Sequence, residues 1–407
     1  MTLSTLCYTL PYLSSTFYTQ FMEAFGLSNE QVGSLISMFG LTAVPGYLFG
    51  GLLADRFSPK KLVIISQLLT AVIGLCICFL SGYTVLVVCY LAMGVTTTFI
   101  HWSAFLKLIR AQGGPDDEGK IFGFFETCYS IVSIVCSYGI LGVLGSLPSF
   151  RWVQAIYAVI LIIVAGVIAL FVKDADINGT SSDSFKLSMA GKAIRHPVTW
   201  INGFIVMGLF IALSTSTYLN PMLSDVYGID VTLSTGYSIY NRYVARVLLA
   251  TAGGLLLDKL KTPKTMSLFS AGMILMLVVI VFMPQNASFA IGAFIICVLF
   301  SSIMGASRSG LYTPIPEAKM PMSITGTAIG ICSAIGYSSD LWLYTLCGKW
   351  LDSFGNAGYR YIWILTMGSV AMVIVCCILL HIYEKKHRVA GRAIHRLLHG
   401  AARALRH

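Results

Sequence analysis

Apolar runs of about 20 residues follow one another from the first residue to residue 383, each closed by glycine, proline or charge. That is the length an α-helix needs to cross the hydrocarbon of a bilayer. Twelve such runs can be drawn, at 1–22, 31–54, 62–81, 84–106, 119–145, 151–172, 199–221, 232–257, 265–284, 287–309, 322–347 and 359–383. They are too long for barrel strands. In lipid every backbone N–H and C=O must be paired within its own segment, so each run reads as a helix. Composition agrees: 57% of residues are hydrophobic, 11% are charged and the mean hydropathy is +0.80, where a soluble domain carries about 25% charge. The expected fold class is all-α membrane protein, with no room for a soluble catalytic domain.

Charge placement sets the expected topology. Under strict alternation, 21 of the 27 Lys and Arg residues fall on one side. Three, Arg151, Lys349 and Arg360, fall on the other, and Arg242, Arg246 and Arg308 lie within spans. Basic loops mark the cytoplasmic side. A multi-pass protein of the cell inner membrane is therefore expected, with both termini cytoplasmic. The linker 173–198 separates two six-helix bundles, 1–172 and 199–383, and its stretch 185–194 reads as a short amphipathic helix. The tail 384–407 sets Ile394, Leu397, Leu398, Ala401 and Leu405 at helical spacing among Arg388, Arg392, Arg396, Arg403 and Arg406. Such a helix suits anionic inner-leaflet lipids. No basic patch with interleaved aromatics points to nucleic acid. The eleven cysteines sit almost wholly inside apolar runs, where a thiol behaves as a small hydrophobe. Neither a metal site nor a cofactor is expected, and the chain reads as a monomer.

A signature recurs after the second and eighth helices: Gly51-Leu52-Leu53-Ala54-Asp55-Arg56, with Lys60 beyond, and Gly254-Leu255-Leu256-Leu257-Asp258-Lys259. The glycines and the aspartates have the same separation, so the motif holds the same place in each half. Internal repeats of this size are typical of transporters. On these residues the chain resembles the major facilitator superfamily, whose hallmark loop is Gly-x-x-x-Asp-Arg/Lys-x-Gly-x-Lys/Arg. It is loosely similar to the bacterial organic-anion and sugar-acid branch and to proteins described as nitrate/nitrite transporter-like. The resemblance implies twelve helices in two pseudo-symmetric bundles. It also implies alternating access, with Gly51, Asp55, Arg56, Lys60, Gly254, Asp258 and Lys259 as a conformational latch.

Ionisable groups inside a membrane are costly and mark function. Arg242 lies near the middle of the eighth helix and Arg246 one turn on, on the same face. Guanidinium forks match carboxylate, phosphate or sulfonate. Arg308 ends the tenth helix, as a substrate contact or a cytoplasmic-end anchor. Glu126 and Asp340 are the candidate proton carriers, with structural pairing as the competing role. The resemblance implies that helices one, four, seven and ten line the cavity, which adds Tyr8, Tyr12, His101, Trp102, Ser214, Thr217 and Tyr218. A lone His101 also reads as an interhelical bracket, and Tyr218 as an interfacial belt residue. No Walker loop is present. The expected function is therefore secondary transport of a small organic anion (a carboxylate, sugar acid, or phosphorylated or sulfonated sugar) by proton symport or exchange with a counter-anion. The alternative is a proton-coupled exporter of drugs or lipophiles. Nothing indicates an enzyme.

Overall fold

The computed structural model describes residues 2–110, 118–174, 187–318 and 320–404. Within them the side chains of Leu48, Arg110, 118–124, Glu126, 187–188, 322–323 and 387–404 are not described. No strand occurs among the described residues. α1 is an interrupted span: a 3-10 segment at Thr2–Tyr8, then Leu13–Thr16 and Tyr18–Phe25. α2 (Asn29–Ala54) and α3 (Pro59–Phe79) are continuous. α4 runs from Tyr83–Gly94 through a π-helical stretch, Val95–Trp102, into Ser103–Arg110. α5 (Glu118–Val143) and α6 (Arg151–Phe171) complete the first half. A helix at Leu187–Arg195 occupies the end of the linker.

The second half begins with α7, which is Pro197–Thr215, a 3-10 turn Ser216–Tyr218, and Leu219–Asp225. α8 is Val231–Ile239, a π-helical turn Tyr240–Val244, and Ala245–Leu260. α9 (Thr262–Phe282) and α10 (Ala290–Ser307) follow. α11 is Met322–Tyr337, a 3-10 turn Ser338–Leu341, and Leu343–Phe354. α12 is Gly358–Ala404. Eight described segments are individually long and apolar enough to cross a membrane, the last covering both α11 and α12. α1, α2 and α8 are not among them; α1 is broken and α8 carries two arginines. The backbone of α12 stays helical past residue 383, where a separate tail was expected. The side chains of that tail lie outside the described residues.

Local chemistry starts these helices where the residues dictate. Ser28 and Gln31 form a reciprocal capping box on α2. Ser58 caps α3 ahead of Pro59, which has no N–H to orphan. Asp230 accepts from the amides of Thr232 and Leu233 to open α8. Packing then repeats between the halves: α3 lies along α6, and α9 along α12.

The halves meet through α2 against α11 and α5 against α8. At the end away from Asp55, one apolar cluster joins both halves, with Phe17, Phe21, Val32 and Leu35 continuous with Tyr344, Cys347 and Leu351. At the end bearing Asp55, the basic end, each half has a cluster of its own. One is built on Leu62, Phe105 and Leu108, the other on Val198, Ile315 and Leu380. The far end is closed at backbone distance. A Cβ on Gly33 would stand 2.1 Å from the Tyr344 carbonyl oxygen, and one on Gly348 2.2 Å from that of Asn29. Only glycine permits such an approach.

A carboxylate clasps this seam. Asp352, exposed in the last turn of α11, accepts from the Asn29 amide (3.0 Å), the Asn29 side-chain amide (2.8 Å) and the Glu30 amide (2.8 Å) at the start of α2. Its partial burial works to raise the carboxyl. The N–H donors of Glu30 and Asn29 outweigh that and hold it below its ordinary value.

Candidate functional site

Arg242 sits on the π-helical turn of α8. A π turn carries an extra residue and re-aims the side chains on it, which is why such turns gather at functional sites. The guanidinium carbon lies 4.3 Å from the ring centroid of Tyr12, on the opposite half, and 6.0 Å from that of Tyr243. Both fall within cation–π range. Among the described residues Arg242 has no hydrogen bond and no ion pair. A ring over the guanidinium face leaves the five N–H donors, which lie in its plane, available to an oxyanion.

Beside Tyr12 is a cavity of about 100 Å³, lined by Tyr12, Phe39, Tyr47, Phe210, Tyr337 and Asp340 among others. Small-molecule pockets hold roughly 300–1,000 Å³, so this cavity is smaller than a typical one. Asp340 is 4% exposed, on the 3-10 turn of α11. Its carboxylate receives one long hydrogen bond, from Ser214 at 3.4 Å, and no described cation lies within ion-pair distance. A half-buried guanidinium and a buried carboxylate thus both lie near Tyr12 without forming an ion pair. A row of aromatic rings crosses between the halves next to them. Tyr8 meets Trp102 at 5.7 Å, Trp102 meets Tyr47 at 5.9 Å, Tyr47 meets Tyr337 at 5.3 Å and Tyr337 meets Phe210 at 4.6 Å.

Other expected residues stand apart from this group. His101 is fully buried in the π-helical part of α4. Nε2 faces Ser4 (2.9 Å) and Gln67 (3.1 Å), Nδ1 faces Tyr8 (3.2 Å), and the ring stacks on Phe105. Both ring nitrogens thus face protein groups, and His101 bridges α1, α3 and α4. Tyr8 donates to the Thr97 carbonyl at 2.6 Å. Tyr218 is 1% exposed and donates to the Tyr344 carbonyl at the sealed end, so it is neither at the cavity nor in a lipid-facing belt. Arg246 and Arg308 are partly buried and each is engaged in an interaction. The Glu126 side chain lies outside the described residues. Tyr47, Phe210 and Tyr337 were missed from sequence, because an aromatic inside an apolar run carries no signal that separates cavity from core.

The two loop motifs differ. Asp55 forms an ion pair with Lys107 of α4, whose Nζ also donates to the Ala54 carbonyl at 3.0 Å. The lysine thus serves both the carboxylate and the negative end of α2. Lys60 donates its amide to Asp174 and its Nζ to the Ala169 carbonyl, while Arg56 is exposed. Asp258 and Lys259 are exposed, and neither has a partner among the described residues. The motif glycines make no close contact. A Cβ on Gly51 would meet only Ser103 Oγ at 3.9 Å, and on Gly254 nothing within 4 Å. The close approaches are one residue earlier: Gly50 would place a Cβ 2.8 Å from the Phe99 carbonyl oxygen, and Gly253 2.2 Å from that of Ala306.

Two matched six-span bundles meet near a guanidinium with no partner among the described residues and a buried carboxylate, and with the family match that follows, this is a membrane transporter and not an enzyme. The sequence pattern of the Major Facilitator Superfamily matches residues 1–342, and the chain belongs to that family. It is similar to the inner membrane protein YqcE of Escherichia coli (strain K12), with 28% identity over 388 residues covering 91% of this chain and 90% of the relative. It is also similar to the probable nitrate/nitrite transporter NarK2 of Mycobacterium tuberculosis (strain ATCC 25618 / H37Rv), with 25% identity over 389 residues, 92% of this chain and 93% of that one. Among solved structures, the nucleoside transporter NupG superposes with a TM-score of 0.75 at 13% identity, covering 93% of this chain and 98% of that one. That likeness speaks for the fold.

Proposed function

We propose that this chain carries a small organic anion across the cell inner membrane, with Arg242 as the anion-binding residue and Asp340 as the proton carrier. The observation behind the reading is the Arg242 guanidinium, held on the Tyr12 ring with no acceptor of its own among the described residues. Leaving such a donor without acceptors costs several kcal/mol unless something negative visits it. A relative named for transport of an oxoanion is in keeping with this. The Lys- and Arg-rich end faces the cytoplasm in this reading, and the sealed end faces out. Protonation of Asp340 removes the competing negative charge, so anion and proton enter together.

The test uses the full chain in vesicles with a panel of labelled carboxylates, sugar acids and sulfonates. Arg242→Ala abolishes uptake while folded protein stays in the membrane. Asp340→Asn abolishes stimulation by an inward proton gradient but leaves exchange of pre-loaded anion. Normal uptake by the alanine variant ends the anion reading. The aromatic lining beside Asp340 supports a second reading, an exporter of lipophilic cations, because such a cage fits a cation. Protection of an overexpressing strain against toxic cations, retained in Arg242→Ala, selects it.

A further inference from the structure

A second internal repeat lies inside the spans. Leu13-Ser14-Ser15-Thr16-Phe17-Tyr18-Thr19-Gln20 in α1 returns as Leu213-Ser214-Thr215-Ser216-Thr217-Tyr218-Leu219-Asn220 in α7. Each copy ends in a tyrosine followed two residues later by a side-chain amide. Each copy also interrupts its helix. α1 breaks at Phe17, with φ −114° and ψ 53°, and α7 tightens to 3-10 at Ser216–Tyr218. The two tyrosines face each other across the halves with ring centroids 5.7 Å apart.

Both copies converge on the part of α8 that presents Arg242. Gln20 Nε2 donates to Thr235 Oγ1 at 2.8 Å. Asn241, the residue before Arg242, donates from Nδ2 to Ser216 Oγ at 2.9 Å. The remaining valences of these amides are unspent. Gln20 Oε1, Asn241 Oδ1 and both polar atoms of Asn220 are buried with no hydrogen-bond partner among the described residues. Asn220 is 1% exposed and Asn241 8%. A buried amide left unpaired is destabilising, and each such group calls for an explanation. Two of these amides end the repeated segments and the third, Asn241, directly precedes Arg242 in the chain, so one explanation can serve all three.

We propose that Gln20, Asn220 and Asn241 form a hydroxyl-recognising subsite on the sealed-end side of Arg242, so that the transported anion is polyhydroxylated. Arg242 takes the charged end and the amides take the hydroxyls. An amide offers both donor and acceptor, which matches a hydroxyl that is also both. A site built to bond hydroxyls discriminates strongly against an analogue without them, because its own groups are then left unpaired. This rests on the anion reading of Arg242.

The experiment measures ligand-induced thermal stabilisation of the purified full chain. D-gluconate, D-galactonate and D-glucuronate are compared with hexanoate, which has the same carbon count and charge, and with D-glucitol, the neutral polyol. At least one sugar acid is expected to bind at least tenfold more tightly than hexanoate. Asn220→Leu and Gln20→Leu each weaken it by about tenfold, the size of one lost hydrogen bond, and leave hexanoate unchanged, which also shows that the variants are folded. If no sugar acid outperforms hexanoate, or both leucine variants bind it normally, the subsite is refuted. Should hexanoate bind through Arg242 with no advantage to the sugar acids, the anion reading survives alone. Should glucitol match gluconate and Arg242→Ala change nothing, the amide subsite survives and the anion reading falls.

Discussion

Single residues in this protein divide by what their polar atoms have left to do. His101 and Arg242 are both ionisable groups within spans. His101 spends both nitrogens on Ser4, Gln67 and Tyr8, whereas Arg242 spends only the face of its guanidinium, on Tyr12. The first is therefore a stability residue. His101→Ala is expected to cost about 2–4 kcal/mol through a cavity and three stranded partners, read as a fall in the unfolding midpoint. Substrate affinity in the surviving folded protein stays within about a factor of two, well under the tenfold that a lost 1.4 kcal/mol contact would bring. A larger loss of affinity at unchanged stability would return His101 to the binding site. A histidine flanked by Ile100 and Trp102 looks the same whether its partners are protein or solute, because those partners are 34 to 97 residues away. Arg242 was legible because no apolar span tolerates a guanidinium without a use.

At the level of elements, apolar length and the repeated Gly-x-x-x-Asp motif made the helices and their pairing into halves readable. The irregularities were not. Val95–Trp102 and Tyr240–Val244 are π-helical, yet their composition is that of ordinary spans, since an inserted residue changes register and not polarity. The glycines show the same limit. The motif pointed to Gly51 and Gly254, while contact falls on Gly50 and Gly253; which of two adjacent glycines faces a neighbour is decided by helix rotation. Where α2 and α11 touch, the requirement is strict. Gly348→Val puts a side chain into the Asn29 carbonyl. It is expected to cost about 1–3 kcal/mol of stability in this form, and to increase reactivity of Cys347, buried one residue away, toward a thiol reagent. Unchanged Cys347 labelling would show that the seam yields without opening.

For the whole molecule, the shared core at one end and the separate cores at the other make an object closed on one side. Asp352 holds that closure across the two halves. Because its carboxyl is depressed, the clasp is retained above the ordinary value of 3.8 and is lost only as pH falls through the lowered one. In a variant keeping Cys347 as its sole cysteine, labelling by an impermeant thiol reagent added on the sealed side, expressed relative to a free thiol at the same pH so that the changing thiolate fraction cancels, is therefore expected to be equally slow at pH 7.5 and pH 5. In Asp352→Ala it is several-fold faster at both. Acid-accelerated labelling of the parent protein would show that some other group sets the closure.

The clasp also bears on how the carrier can be blocked. In the proposed orientation, with the sealed end outward, an intact cell shows the medium only a plug of glycine backbone and paired carbonyls in place of a mouth. A charged inhibitor shaped for Arg242 that cannot cross lipid finds nothing to grip from that side in this form. Such a compound succeeds only by arriving from the cytosol or by being accepted as cargo, so its potency on cells and on inside-out membranes would part company.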